Sequence, residues 1–194
     1  MIKEILSGLA IALTLIAFFP YVRSILAGRT KPHVFSWVIW GTTTFIVFLA
    51  QLADGAGIGA WPIGVSGVIT IGVAGLAFAK RADIAITGTD WAFFIAAMSS
   101  LPLWYLTSDP LWAVVILTTV DVLGFGPTIR KAHGRPFEEQ VTFFALMATR
   151  NAVSVGALEH YSLTTVLFPA VMALVAASFV AMVLVRRRAV GPAG

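Results

Sequence analysis

Seven apolar runs follow one another along this chain, and the stretches between them are short and hold nearly all of its charge. They cover residues 5–19, 33–52, 58–79, 91–107, 110–125, 139–158 and 163–185. Each reaches or approaches the roughly 20 apolar residues that a bilayer core requires. In hydrocarbon every backbone N–H and C=O must find its partner inside the protein, so runs of this length fold as helices. Charged residues make up 11% of the chain and hydrophobic ones 59%, where an ordinary soluble domain carries about 25% charged residues. The 194 residues leave room for the spans and little else. The expectation is an all-α integral membrane protein with seven transmembrane helices. There is no cysteine, which excludes disulfides and thiol chemistry.

The first run reads as a retained helix. Lys3 before it is balanced by Glu4, and Pro20-Tyr21-Val22-Arg23 after it is no small-residue cleavage site. Pro32 stands at the entrance of the second helix, and Asp90 reads as the N-cap of the fourth.

Charge sets the expected orientation. Arg23, Arg29 and Lys31 fall between runs one and two, and Lys80 and Arg81 between three and four. Arg130, Lys131 and Arg135 fall between five and six, and Arg186, Arg187 and Arg188 after seven. Eleven of the thirteen basic residues thus share one side. The positive-inside rule makes that side cytoplasmic, with the N-terminus outside and the C-terminus inside. The net charge of +4 is explained by this topology, and no nucleic-acid partner is expected.

The chain also repeats itself. Phe18, Pro20 and Arg23 recur as Phe125, Pro127 and Arg130, at an offset of 107. Gly28-Arg29 and Pro32 return as Gly134-Arg135 and Pro136 across a shorter loop. The same offset joins Pro62 with Pro169, Val68 with Val175, Ala74 with Ala181, and Lys80-Arg81 with Arg187-Arg188. This divides the chain into a three-helix bundle over 1–82, a linker helix over 83–108 and a second three-helix bundle over 109–194. Three helices are an odd number, so the linker restores direction and the two bundles run parallel, a plan known in transporters.

The 3+1+3 pattern, with a proline near the cytoplasmic end of each bundle's first helix and a basic loop after it, resembles the PQ-loop family, which includes the SWEET sugar transporters. Here the motif reads Pro20-Tyr21 and Pro127-Thr128. Where SWEETs carry an asparagine in the third helix of each unit, this chain offers Ser66, Thr70 and Ser178. The resemblance implies a small-solute transporter working by alternating access, in a bacterial inner (cytoplasmic) membrane, with Asp121 in a proton-coupling role. The KDEL receptor, a more distant relative, implies the alternative of a non-transporting receptor or accessory subunit.

The residues single out their own candidates. Asp121 sits about eleven residues into the fifth run, near mid-bilayer. An ionised side chain there costs about 2.5–3.5 kcal/mol on insertion scales and is a functional-site candidate by default. Arg150, halfway along the sixth run, is its expected partner or a clamp for an anionic group. Asn151 and Ser154 follow it. Trp37, Trp40, Thr44, Phe48 and Gln51 share one side of the second helix and read either as a solute-lining stripe or, for the tryptophans, as an interfacial belt. Pro20, Pro62, Pro127 and Pro169 read as hinges, or as helix ends and first turns. Ser66, Thr70 and Ala74, with Ala173, Ala177 and Ala181 at the same offset, read as faces for close helix packing. His33, His133 and His160 are too dispersed for a metal site, and no nucleotide loop, HExxH or nucleophile elbow is present. The expected partners are the bilayer and a small solute, with a homo-oligomer left open; no cofactor and no enzymatic activity are expected.

Overall fold

The computed structural model describes residues 1–28, 34–80, 86, 88–134, 136–138 and 141–190, with side chains for all of these except 90, 126–128, 130, 131 and 138. The described chain is helical: α1 (Ile2–Leu26), α2 (Val34–Ala53), α3 (Trp61–Ala79), α4 (Gly88–Thr107), α5 (Pro110–Gly134), α6 (Val141–Ala157) and α7 (Leu163–Val190). A 3₁₀ turn, Gly57–Ala60, leads into α3, and another, Pro136–Glu138, follows α5. Four segments have the length and composition to cross a bilayer: Ile2–Leu26, Val34–Ala53, Gly57–Ala79 and Leu163–Val190. Trp91–Thr107, Pro110–Phe125 and Val141–Ala157 are shorter apolar stretches. Leu9, Leu15, Ile16, Phe19, Val68, Leu174 and Val185 point outward. Long apolar helices with an apolar exterior define a membrane-embedded protein.

Several helix ends differ from those expected. α1 runs past Pro20 to Leu26, and α5 runs past Pro127 to Gly134. Neither proline ends its helix, because within a bundle neighbouring groups can take over the backbone bond a proline removes. Asp90 lies inside α4, which starts at Gly88, so it is not the N-cap. The caps fall elsewhere: Asp109 Oδ1 accepts from Leu111 N at 2.9 Å, and Ser162 Oγ accepts from Thr165 N at 3.1 Å. α7 continues through its arginines to Val190, where Arg186 Nε and Arg187 Nε donate to the carbonyls of His133 and Pro136. Arg29, Lys31, Pro32, His33, Arg81 and Arg135 lie outside the described residues.

The packing order differs from the chain order. α3 lies against both α1 and α2, and α7 lies against both α5 and α6. α1 also packs on α6, α2 also packs on α5, and α4 covers α5 and part of α2. The α2–α3 contact is close because of glycine: a Cβ on Gly41 would stand 2.9 Å from Ile71 N. Ser66, Thr70 and Ala74 are buried in α3, as a close-packing face requires. In α7 the buried positions include Phe168, Ala176, Phe179 and Val183, while Ala177 and Ala181 are exposed. The small-residue face expected there is turned outward, because the larger Phe179 and Val183 fill the seam.

The N-terminus, the α2–α3 connection and the α6–α7 connection meet at one end. Lys3 Nζ donates to Leu158 O at 2.6 Å, and Ser7 Oγ donates to Ile58 O at 2.9 Å. Glu159 N donates to Ala56 O at 3.1 Å. His160 Nδ1 lies 2.9 Å from Asp54 O, and Ser162 Oγ bonds the Asp54 carboxylate. A Cβ on Gly59 would stand 2.5 Å from Leu158 Cα, so only glycine allows this backbone approach.

Candidate functional site

Asp121 is buried on the face of α5 that also carries Leu117 and Val114, one and two turns earlier. This face meets α2. Thr43 Oγ1 lies 3.0 Å from Asp121 Oδ1 and also 3.0 Å from the Trp40 carbonyl. One turn along α5, Gly124 leaves room for the Trp40 indole, whose Nε1 would stand 3.3 Å from a Cβ there. The carboxylate therefore sits in the α2–α5 seam, held by one hydroxyl among the described residues.

Arg150 is buried on α6. Its Nη1 donates to the Pro62 carbonyl, in the first turn of α3, at 3.4 Å. Its Nε is buried with no hydrogen-bond partner. Ser154 Oγ donates back to the Arg150 carbonyl at 2.8 Å, so that hydroxyl serves its own helix. Asn151 is also buried, and its Oδ1 has no partner.

Asp121 and Arg150 do not form an ion pair: among the described residues no contact within 4.0 Å joins them. Adjacency in sequence suggested the pair, but α7 packs between their helices. The α5 and α6 side chains meet at Phe125 and Phe144, whose rings lie edge-on at 6.0 Å.

The stripe on α2 disperses. Trp37 stacks on Tyr21 at 5.0 Å and meets Phe18 edge-on at 6.3 Å, both on α1. It is buried among aromatics and forms no exposed interfacial belt. Trp40 meets α5 at Gly124, and Phe48 packs on Trp61 and Gly64 of α3. Gln51 Nε2 donates to the Thr165 carbonyl of α7 at 2.7 Å. Thr44 is buried one residue from Thr43. These side chains thus serve four different neighbours.

Pro62 is in the first turn of α3, and Pro169 is inside α7. Pro20 is inside α1; the side chain of Pro127, inside α5, lies outside those described. A cavity of about 390 Å³ lies between α4 and α5, lined by Phe93, Ala96, Ile116 and Val120 among others, and neither Asp121 nor Arg150 borders it. Among the described residues no three His, Asp or Glu side chains group to hold a metal ion.

Sequence reasoning passed over Thr43, the one side chain among the described residues that hydrogen-bonds Asp121. A signal existed: Thr43 lies 107 positions before Arg150, and the buried Thr14 lies 107 before Asp121. Compared with family models, with curated proteins and with solved structures, the chain matches none.

Proposed function

We propose that this protein is a small-solute carrier of the SWEET/PQ-loop plan. Two parallel three-helix units, 1–82 and 109–194, are joined by α4 and work by alternating access in a bacterial cytoplasmic membrane. The basic loops face the cytoplasm.

Three features support the repeat. First, exchanging the units turns the α1–α6 contact into the α5–α2 contact, and both are present. Second, the buried positions coincide: Ala10 with Leu117, Thr14 with Asp121, Thr43 with Arg150 and Thr44 with Asn151, each at an offset of 107. In α3 and α7 the burial matches at 106, as in Thr70 with Ala176 and Val73 with Phe179. Third, the edge-on pair Phe18–Trp37 is mirrored by Phe125–Phe144, with interplanar angles of 71° and 66°.

The observation that carries the functional reading is the burial of Asp121 and Arg150 without mutual neutralisation. Charges in a membrane interior are costly and occur where a pathway uses them. Asp121, at the seam between the units, is the group for proton coupling or for a cationic part of the solute. The prolines serve as hinges within the rocking units.

The test begins with a thermal-shift screen of metabolites at two pH values. Hits are then followed as uptake into proteoliposomes. Asp121→Asn is expected to abolish pH-dependent uptake. Unchanged pH dependence removes the coupling role, and uptake no faster than into empty liposomes for every bound solute removes the carrier reading.

A further inference from the structure

Arg150 carries a charge that no described residue balances. Its side chain is 3% exposed, and no carboxylate among the described residues lies within 4.0 Å. Its single hydrogen bond to a described residue runs from Nη1 to a neutral carbonyl, Pro62 O, at 3.4 Å. The Nε–H is buried and unpartnered. A buried ion without its counter-charge is strongly destabilising unless something completes it. The face of the guanidinium left open is the edge formed by Nε and Nη2.

That edge has a specific shape. Two N–H bonds run parallel along it, at the spacing of the two oxygens of a carboxylate. A halide can meet it at only one point, and a neutral amide offers it one acceptor in place of two; a phosphate dianion fits the edge but brings a second charge that one buried guanidinium leaves unbalanced. We infer that the Nε–Nη2 edge of Arg150 binds the carboxylate of a small monoanionic solute. This rests on the carrier reading for the passage of the solute across the membrane; the binding itself is measured without transport.

The surroundings set the route. Arg150 lies seven residues before the end of α6, or about 10 Å of helix. Pro62, its present partner, is in the first turn of α3 at the same end. That end is where Lys3 bonds Leu158 O and where the Gly59 backbone rests on Leu158. A solute approaching from this end reaches Arg150 only when these contacts part. The hydroxyls nearby are already committed, Ser7 to Ile58 O and Ser154 to Arg150 O, so selection falls on the guanidinium.

The test uses the purified full chain in detergent, with sodium acetate as the probe. Acetamide, sodium chloride and inorganic phosphate are compared at matched ionic strength, by thermal shift and titration calorimetry. Acetate is expected to bind in the millimolar range and to raise the unfolding midpoint, and the other three are expected to do neither. Arg150→Lys, which keeps the charge but not the parallel edge, is expected to weaken acetate at least tenfold, and Arg150→Gln to abolish it. Acetamide, chloride or phosphate matching acetate overturns the assignment, as does acetate binding retained in Arg150→Gln. If Arg150→Gln fails to fold, Arg150→Lys decides: undiminished acetate binding there overturns it. Acetate binding in a protein that transports nothing removes the carrier reading and leaves this site standing. A transporting protein blind to acetate removes this site alone.

Discussion

Gln51 Nε2 donates to the carbonyl of Thr165 at 2.7 Å, and Thr165 is the residue four before Pro169. That carbonyl is the one an N–H at position 169 would have bonded, and proline has none. The start of α3 differs: Ser7 Oγ donates to Ile58 O at 2.9 Å, four residues before Pro62, but that carbonyl also accepts from Trp61 N. At Pro169 a helix from elsewhere in the bundle supplies the missing donor. Gln51, read from sequence as a pocket residue, has its amide nitrogen committed to α7.

Replacing Gln51 with Leu is expected to destabilise the protein by about 1–3 kcal/mol, the usual consequence of leaving a buried carbonyl unsatisfied. Adding Pro169→Ala restores a backbone donor and should recover much of that loss. Unfolding of the four proteins of this double-mutant cycle in detergent measures it. A double variant as unstable as Gln51→Leu alone shows that the proline is not what the glutamine compensates.

Thr43→Val is expected to lower stability by about 1–3 kcal/mol, because it removes the hydroxyl that faces the Asp121 carboxylate in a buried seam. Thr43→Ser keeps the hydroxyl and should stay close to the parent. Equal unfolding midpoints for Val and Ser at this position show that the contact contributes nothing.

Gly41→Ala is expected to destabilise by about 1–3 kcal/mol through overpacking. Its Cβ would lie 2.9 Å from the Ile71 backbone nitrogen, and backbone does not yield as a flexible side chain does. Gly72→Ala is the control: nothing lies within 4 Å of its Cβ, and it should be neutral or slightly stabilising. Unfolding midpoints of the two variants compare them directly.

A Cβ on Gly55 would stand 3.7 Å from His160 Cβ, within the range of a disulfide. The chain has no cysteine of its own, so Gly55→Cys with His160→Cys gives a single defined cross-link. The positive φ of 76° at Gly55 adds a backbone cost of about 1–2 kcal/mol for cysteine. Oxidation is expected to stop uptake into proteoliposomes, and reductant to restore it. Full uptake by the cross-linked protein shows that this end need not open.

Much of the outline was legible because composition and run length report directly on the solvent a helix meets. Asp121 and Arg150 stood out because few charges lie inside apolar runs. Helix ends at Pro20 and Pro127 were misread, since proline as a stop signal assumes water or a free chain end, and a bundle relaxes that rule. The supposed Asp121–Arg150 pair failed for a different reason: chain adjacency of α5 and α6 says nothing about α7 packing between them. Thr43 was missed because a hydroxyl inside an apolar helix most often bonds its own backbone, as Thr14 does to Ala10 O. The outward turn of Ala177 and Ala181 shows that letters matching at one offset do not fix which face of a helix is buried.

The placing of α3 and α7 has a mechanical consequence. Each is gripped on both flanks, α3 by α1 and α2, and α7 by α5 and α6. Under the proposed carrier reading, trios wedged in this way would move as blocks, and slippage would concentrate on the surfaces where they touch, α1 on α6 and α2 on α5. Thr43 and Asp121 face each other across one such surface, so their 3.0 Å bond is a strain gauge for any relative displacement of the blocks.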